Sequence, residues 1–433
     1  MPSGEAHATR DETPAEVERR AFAKAAWRLV PFLTAGYVLN YMDRTNVGFA
    51  ALTMNKETGL TATQFGFGAG LLFLSYSSFE IPSNMALYRF GARRWIARIM
   101  ISWGLISAAT AFVTGPQSWY VLRFLLGVAE AGFFPGITFY LATWFPAEYR
   151  ARMLAWFLVA IPVSTVIGGP LSGLVLQMDG FAGLPGWKWL FIIEGLPATL
   201  LGIAALWVLP DRPDEAAFLN DEERRLVRER IRSERRDKEM TELLPALKDV
   251  RVLILAVAQF GFTAGSYGVG IWLPQIIKEA RLSNLAVGFV TGGCYMVASV
   301  AMIIWAALVD RSGRKIDNLT LACCVSAVGL ILAIVSGTFW LALAWITLAL
   351  IGITSARAIF WTIPTRFLTG LAAAGGLAFI NSIGTLGGFV GPYAVGWLRD
   401  ATGSFSAGLA AMAGLLALAT MMSLSLKLVV THE

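Results

Sequence analysis

The chain has 433 residues, of which 56% are hydrophobic and only 15% charged, with a mean hydropathy of +0.62. Soluble domains carry roughly 25% charged residues, so this composition excludes a soluble globular protein and places most of the chain in lipid. The formal charge of +6 does not signal nucleic-acid binding, because the basic residues fall in short clusters between apolar runs and not on one continuous face.

Residues 1–28 are polar and mixed in charge, without the apolar core and cleavage site of a signal peptide. They read as a short cytoplasmic tail. About twelve apolar runs follow, each long enough to cross ~30 Å of hydrocarbon at ~1.5 Å per residue. They lie near 29–51, 64–87, 95–114, 118–143, 151–177, 188–209, 252–277, 286–309, 317–336, 340–367, 373–398 and 405–427. The pattern predicts an all-α membrane protein, with twelve transmembrane helices in two pseudo-symmetric six-helix bundles at 29–210 and 251–433. Between them lies a hydrophilic linker, 211–250, rich in Arg and Glu and carrying an amphipathic helical pattern. Basic clusters at Arg89, Arg93 and Arg94, at Arg150 and Arg152, and at Arg311, Arg314 and Lys315 share one side if the spans alternate. By the positive-inside rule that side is the cytoplasm, with both termini there.

The halves carry matching landmarks. Span two ends in Tyr88-Arg89-Phe90-Gly91-Ala92-Arg93-Arg94 and span eight in Asp310-Arg311-Ser312-Gly313-Arg314-Lys315. Span five contains Gly168-Gly169-Pro170-Leu171-Ser172-Gly173, and span eleven Gly387-Gly388-Phe389-Val390-Gly391-Pro392. Parallel six-helix repeats are the framework of alternating-access transporters. The small-xxx-small pairs Gly169/Gly173, Gly384/Gly388 and Gly387/Gly391 suit close helix packing, pivoting of the halves, or both.

Charges deep in a membrane cost at least about 2.5–3.5 kcal/mol each, so those present must face partners or water. In span four, Arg123 and Glu130 lie seven residues apart, on one stripe and about 10 Å apart along the axis, with Gly127 between them. In span one, Tyr37, Tyr41 and Arg44 share a stripe, while Asp43 points about a quarter-turn away toward a neighbouring helix. The four charges read either as two structural ion pairs or as a switch in which an incoming anion takes a guanidinium from its carboxylate. Arg357, one turn before Trp361, is a third cavity arginine, or else it snorkels toward the cytoplasm or pairs with another span. Glu80, beside Pro82 and Asn84, reads as a structural or gating partner, and Glu194 as structural. Asp310 and Arg311 are expected to brace helices at the cytoplasmic face. Tyr267 and Trp272 are lining or interface aromatics.

Cys294, Cys323 and Cys324 lie in apolar stretches without metal-ligand spacing, and His7 and His432 in the polar termini. Any proton transfer within the bilayer therefore falls to carboxylates. There is no GxxxxGK[ST] or HExxH motif. The sequence thus predicts neither an ATP-driven pump nor an enzyme, and neither metal nor cofactor.

Several motifs resemble a known family. The run from Asp310 to Lys315 resembles the loop signature of the major facilitator superfamily, and Tyr88 to Arg94 is a degenerate copy lacking the aspartate. Asn40-Tyr41-Met42-Asp43-Arg44-Thr45-Asn46, Glu80-Ile81-Pro82-Ser83-Asn84 and the stretch from Arg123 to Gly136 resemble its anion:cation symporter branch. So do Phe360-Trp361 and Ile380-Asn381-Ser382-Ile383-Gly384. That branch includes bacterial carriers for sugar acids, tartrate and phthalate. The resemblance, from about residue 29 to 427, implies proton-coupled uptake of an organic carboxylate across a bacterial inner membrane by a monomer, with membrane lipid its surroundings. It implies Asp43 and Glu130 as the protonatable pair and Arg44 as the coupling arginine. Tyr41, Tyr76, Arg123, Trp361 and Asn381 would line the substrate cavity; Arg357 is a departure from the family pattern, placed with them by its own spacing to Trp361. Glu80, Arg89, Asp310, Arg311 and Arg314 would serve gating or structure. An anion channel or uniporter, or an exporter without proton coupling, is the alternative.

Overall fold

The computed structural model describes residues 13–236, 249–364 and 370–430. The tail before Thr13, linker residues 237–248, His7 and His432 lie outside the described residues. Span one belongs to a helix that starts well before the membrane, Pro14–Thr58, and is followed by Ala62–Phe90 and Ala92–Ala109. Span four is Pro116–Glu130 plus Phe133–Trp144, span five Ala147–Leu158 plus Ala160–Val175, and span six Gly186–Val208. The linker helix Asp221–Arg236 separates these from spans seven to twelve: Val250–Lys278, Asn284–Ser312, Lys315–Val335, Phe339–Phe360, Gly370–Thr402 and Phe405–Val430. The twelve spans form the two six-helix bundles of a major facilitator fold. Nine of them are long and apolar enough to cross a membrane among the described residues. Spans one, two and eleven complete the set; span one carries Asn40, Asp43, Arg44 and Asn46, and span two Glu80.

Local chemistry sets the ends. Thr13 and Glu16 cap the first helix reciprocally, and Thr61 and Gln64 do the same for span two. Gly59 and Gly313, at φ 70° and 68°, end spans one and eight in the left-handed conformation. The apolar run expected to cross as one helix in span four is broken. Ala131 leaves the helical region, and Gly132 takes φ 84°, directly after Glu130. A glycine tolerates that φ at no steric cost, and the Ser83 hydroxyl donates to the freed Ala131 carbonyl at 2.5 Å.

The two loop signatures differ structurally as they do in sequence. The aspartate missing between spans two and three is supplied by Asp211, just beyond span six. Its carboxylate accepts from the Arg93 backbone N–H at 2.8 Å and lies against Gly91. At the other copy, Asp310 and Arg311 are exposed in the last turn of span eight and Arg314 just beyond it. Arg89 is exposed beside the Phe90 ring, 5.6 Å away.

We call the side carrying the linker helix and both described chain ends the linker face. The backbones of the two bundles meet in the halves of the helices nearer the opposite face. A Cβ on Gly169 of span five would stand 2.6 Å from the Gly288 carbonyl oxygen of span eight, and one on Gly70 of span two 2.6 Å from that of Phe389 in span eleven. The glycine pairs therefore serve close approach: Gly169 and Gly173 between bundles, Gly387 and Gly391 between spans eleven and seven. At the rim of that face, Asp400 of span eleven accepts from the backbone N–H groups of Ala62 and Thr63 at 3.2 and 2.7 Å. One bundle thus caps a helix of the other.

On the linker side, the long first helix and Asp221–Arg236 pack together. Arg20 and Lys24 reach the buried Glu223 carboxylate at 3.1 and 2.7 Å.

Candidate functional site

The intramembrane charges of the first bundle gather at mid-span. Arg44 donates from Nε and Nη2 to Oε2 of Glu130 at 3.0 and 2.9 Å. The sequence gap between them is 86 residues, yet the stripes on spans one and four face each other as their periodicity requires. Glu130 is fully buried, and the Arg44 side chain retains 11% exposure. Three aromatic rings surround the Arg44 guanidinium: Tyr76 at 4.9 Å, Tyr41 at 5.8 Å and Phe73 at 5.9 Å. Such rings favour a cation while offering it no counter-ion.

Asp43 turns the other way, as its register implies, and accepts a hydrogen bond from the Ser107 hydroxyl of span three. Arg123 is 1% exposed and packs 5.3 Å from the Trp119 ring. None of its three guanidinium nitrogens meets a hydrogen-bond partner among the described residues. Its electrostatic neighbours are Asp43, Glu130 and Arg44, all in the first bundle.

The second bundle contributes Arg357. Its Nη2 donates to the Ser266 hydroxyl at 2.8 Å and its Nη1 to the Tyr41 hydroxyl at 3.5 Å, and the Tyr267 ring lies 5.7 Å away. Among the described residues its hydrogen-bond partners are neutral hydroxyls. It pairs with no acid among the described residues, and it reaches across the bundle interface to Tyr41. Tyr41 therefore stands between two guanidiniums, one from each half.

Further contacts cross the same midplane. Asn381 donates from Nδ2 to the Glu80 carboxylate at 3.2 and 3.4 Å, and the Phe73 and Tyr267 rings sit 4.2 Å apart. Tyr76 is buried against Arg44, whereas Trp361 is half-buried in the turn ending span ten, edge-on to Phe360. Trp272 is neither lining nor belt. It is fully buried, donates to the Pro392 carbonyl at 3.0 Å and meets Phe65 of the first bundle edge-on.

Sequence reasoning missed Ser107 and Ser266, since one small hydroxyl in an apolar run carries no periodic signal. It missed Asp211 because that residue lies far along the chain from the loop it completes. No cluster of three or more metal-ligating side chains occurs among the described residues.

Comparison with known proteins agrees with this architecture. The profile of the Major Facilitator Superfamily matches residues 33–392, and the chain belongs to that superfamily: it is a multi-pass membrane transporter and not an enzyme. It is 48% identical over 413 residues to an Agrobacterium vitis protein named "Putative tartrate transporter", with 95% of each chain covered. A "Quinolone resistance transporter" of Acinetobacter baumannii is 40% identical over 398 residues, covering 91% of this chain and 92% of the other. Among solved structures, a D-xylose–proton symporter superposes with a TM-score of 0.75 at 15% identity, over 92% of this chain and 97% of that one. That likeness bears on the fold.

Proposed function

We propose that this transporter takes up an organic carboxylate together with protons, by alternating access across a bacterial inner membrane. The linker face would be cytoplasmic, as its basic clusters favour. The units that rock are residues 29–210 and 251–433, within one monomer. The observation that carries the reading is the pair of guanidiniums flanking Tyr41, with Arg44 held by Glu130 and Arg357 by hydroxyls.

Alone in the pocket, Arg44 spends its charge on Glu130. A substrate carboxylate competes for that guanidinium, whose planar fork accepts it bidentately. Once displaced, Glu130 is a buried carboxylate that has lost its hydrogen-bonded guanidinium, and it becomes neutral by taking a proton. Protonating Glu130 first frees Arg44 for substrate; by linkage the coupling works equally in both directions. Asp43 and Arg123 form the second acid–arginine set behind it, and Tyr76, Trp361 and Asn381 the pocket wall. Arg357 suits a second negative group, which favours dicarboxylates, polyhydroxy acids or aromatic acids. The relative named for tartrate fits that class.

Uptake by proteoliposomes across a panel of carboxylic acids, with and without an inward proton gradient, tests the reading. Concentrative uptake of a carboxylate that collapses with the gradient supports it; uptake that only equilibrates points to a uniporter or channel. The relative named for quinolone resistance supports an exporter as the second reading, which predicts uphill movement in the opposite sense.

A further inference from the structure

Glu194 of span six takes no part in the exchange described above, yet it is 3% exposed in the middle of the first bundle. One of its oxygens accepts from the Ser172 hydroxyl of span five at 3.1 Å, and the other has no hydrogen-bond partner among the described residues. On the span-one side it faces Asn46, one turn from Asp43, and Asp43 is its charged neighbour. Asn46 is 1% exposed, with both amide atoms unpartnered, and Asp43 Oδ2 is unpartnered as well. Spans one and six thus bring together buried polar groups, the Asn46 amide and the Glu194 carboxylate, with Asp43 as the charged neighbour. Buried polar atoms are almost always satisfied, and the groups available to satisfy Glu194, the Ser172 hydroxyl and the Asn46 amide, are both neutral.

Charge balance says what the site holds. The described mid-membrane carboxyls are Asp43, Glu80, Glu130 and Glu194. The arginines beside them are Arg44 and Arg123, two fewer, since Arg357 is held by hydroxyls. Glu130 has Arg44, Asp43 has the Glu130 carboxylate and then Arg123 as charged neighbours, and Glu80 has the Asn381 amide together with Arg44 nearby. Glu194 has two neutral groups and a second acid. The helices packed against span six offer it Asp43 and Asn46 from span one, Ser172 from span five and, from span three, Ser107, which is bonded to Asp43. On its own helix, Lys188 lies toward the opposite face against Trp187. A carboxylate buried with no cation costs several kcal/mol, whereas the neutral acid does not carry that penalty.

We propose that Glu194 is a third proton-binding site, and that it exchanges its proton with Asp43. In that step the Glu194 O–H bond breaks as an Asp43 O–H bond forms, so the pair keeps a single negative charge throughout. The first half of the proposal is independent of the transported substrate; the second rests on the proton coupling proposed above.

Infrared spectroscopy of the purified full-length protein in liposomes tests the first half. At neutral pH the wild type is expected to show a carboxylic-acid C=O band that Glu194→Gln removes and Glu194→Asp shifts. A band unaltered by both substitutions, or absent from the wild type, overturns the assignment whatever the protein transports. For the second half, Glu194→Gln is expected to keep substrate exchange within about twofold while moving the pH of half-maximal concentrative uptake by about one unit. An unmoved profile, with the band lost, overturns the exchange with Asp43. A failure of wild-type concentrative uptake would count against the proposed function and leave the infrared result standing.

Discussion

Arg44 and Glu130 meet on a single carboxylate oxygen: Nε and Nη2 converge on Oε2, and Oε1 makes no hydrogen bond among the described residues. A pair gripped at one oxygen leaves the other available to a proton. It is also less completely satisfied than a fork-to-fork pair, which suits a contact that must be made and broken in every cycle.

The first prediction follows from that oxygen. In proteoliposomes, a gradient of one pH unit supplies about 1.4 kcal/mol per proton, enough for roughly tenfold accumulation. Glu130→Gln is expected to bring accumulation to equilibrium with the outside while counterflow exchange of labelled substrate continues. Full gradient-driven accumulation by this variant would remove Glu130 from coupling.

Removing only one partner of a buried ion pair typically costs about 3–5 kcal/mol. Arg44→Ala should therefore lower the melting temperature and abolish substrate-induced stabilisation. Adding Glu130→Gln should recover much of the melting temperature but none of the substrate response. Calorimetry of the two variants, with and without substrate, checks both parts.

These pairings show how far the sequence could be read. Periodicity placed twelve spans and set Arg44 and Asp43 on different faces, because helical register is local. It treated span four as one helix, since its composition is apolar throughout, and only the backbone reveals that Gly132 adopts a left-handed φ. The partners of Arg357 were open for another reason. Ser266 and Tyr41 are 91 and 316 residues away, and nothing in a local pattern selects two hydroxyls over an acid.

Arg357 yields a specificity test. In competition assays, Arg357→Ala is expected to weaken dicarboxylates about tenfold or more relative to monocarboxylates of similar size, about 1.4 kcal/mol. An unchanged ranking would assign Arg357 to holding the bundles together through Ser266 and Tyr41.

The opposite face should be openable by steric force. Gly169→Val cannot be accommodated against the Gly288 carbonyl at the present separation. It is expected to shift the population toward a state open at that face. A cysteine at Asn284, in a background lacking the three native cysteines, should then react several-fold faster with an aqueous thiol reagent added from that side.

On the linker side a pH test is available. Burial pushes the Glu223 carboxyl up, but Lys24, the Asn220 backbone N–H and Arg20 outweigh it and hold the group below the usual glutamate range. A depressed value means that the contribution to docking is intact above the ordinary glutamate pKa of about 4.3 and is lost only in stronger acid. Since Arg20 and Lys24 are partly solvated, their contribution is modest, about 1 kcal/mol. Limited proteolysis of the linker should be flat from neutral pH down to about 4.3 and rise below it. Glu223→Gln should raise cleavage several-fold at neutral pH.

The interruption of span four has a mechanical consequence. An unbroken rod across the bilayer would carry torsion from the pocket to the membrane surface, whereas two short rods meeting at Ala131 and Gly132 act as a universal joint. The rod Pro116–Glu130 can roll with Glu130. The rod Phe133–Trp144, toward the linker face, stays anchored where Tyr140 donates to the Pro210 carbonyl and Trp144 stacks on Phe218. Motion at Glu130 is thereby decoupled from the connection that tethers one bundle to the other.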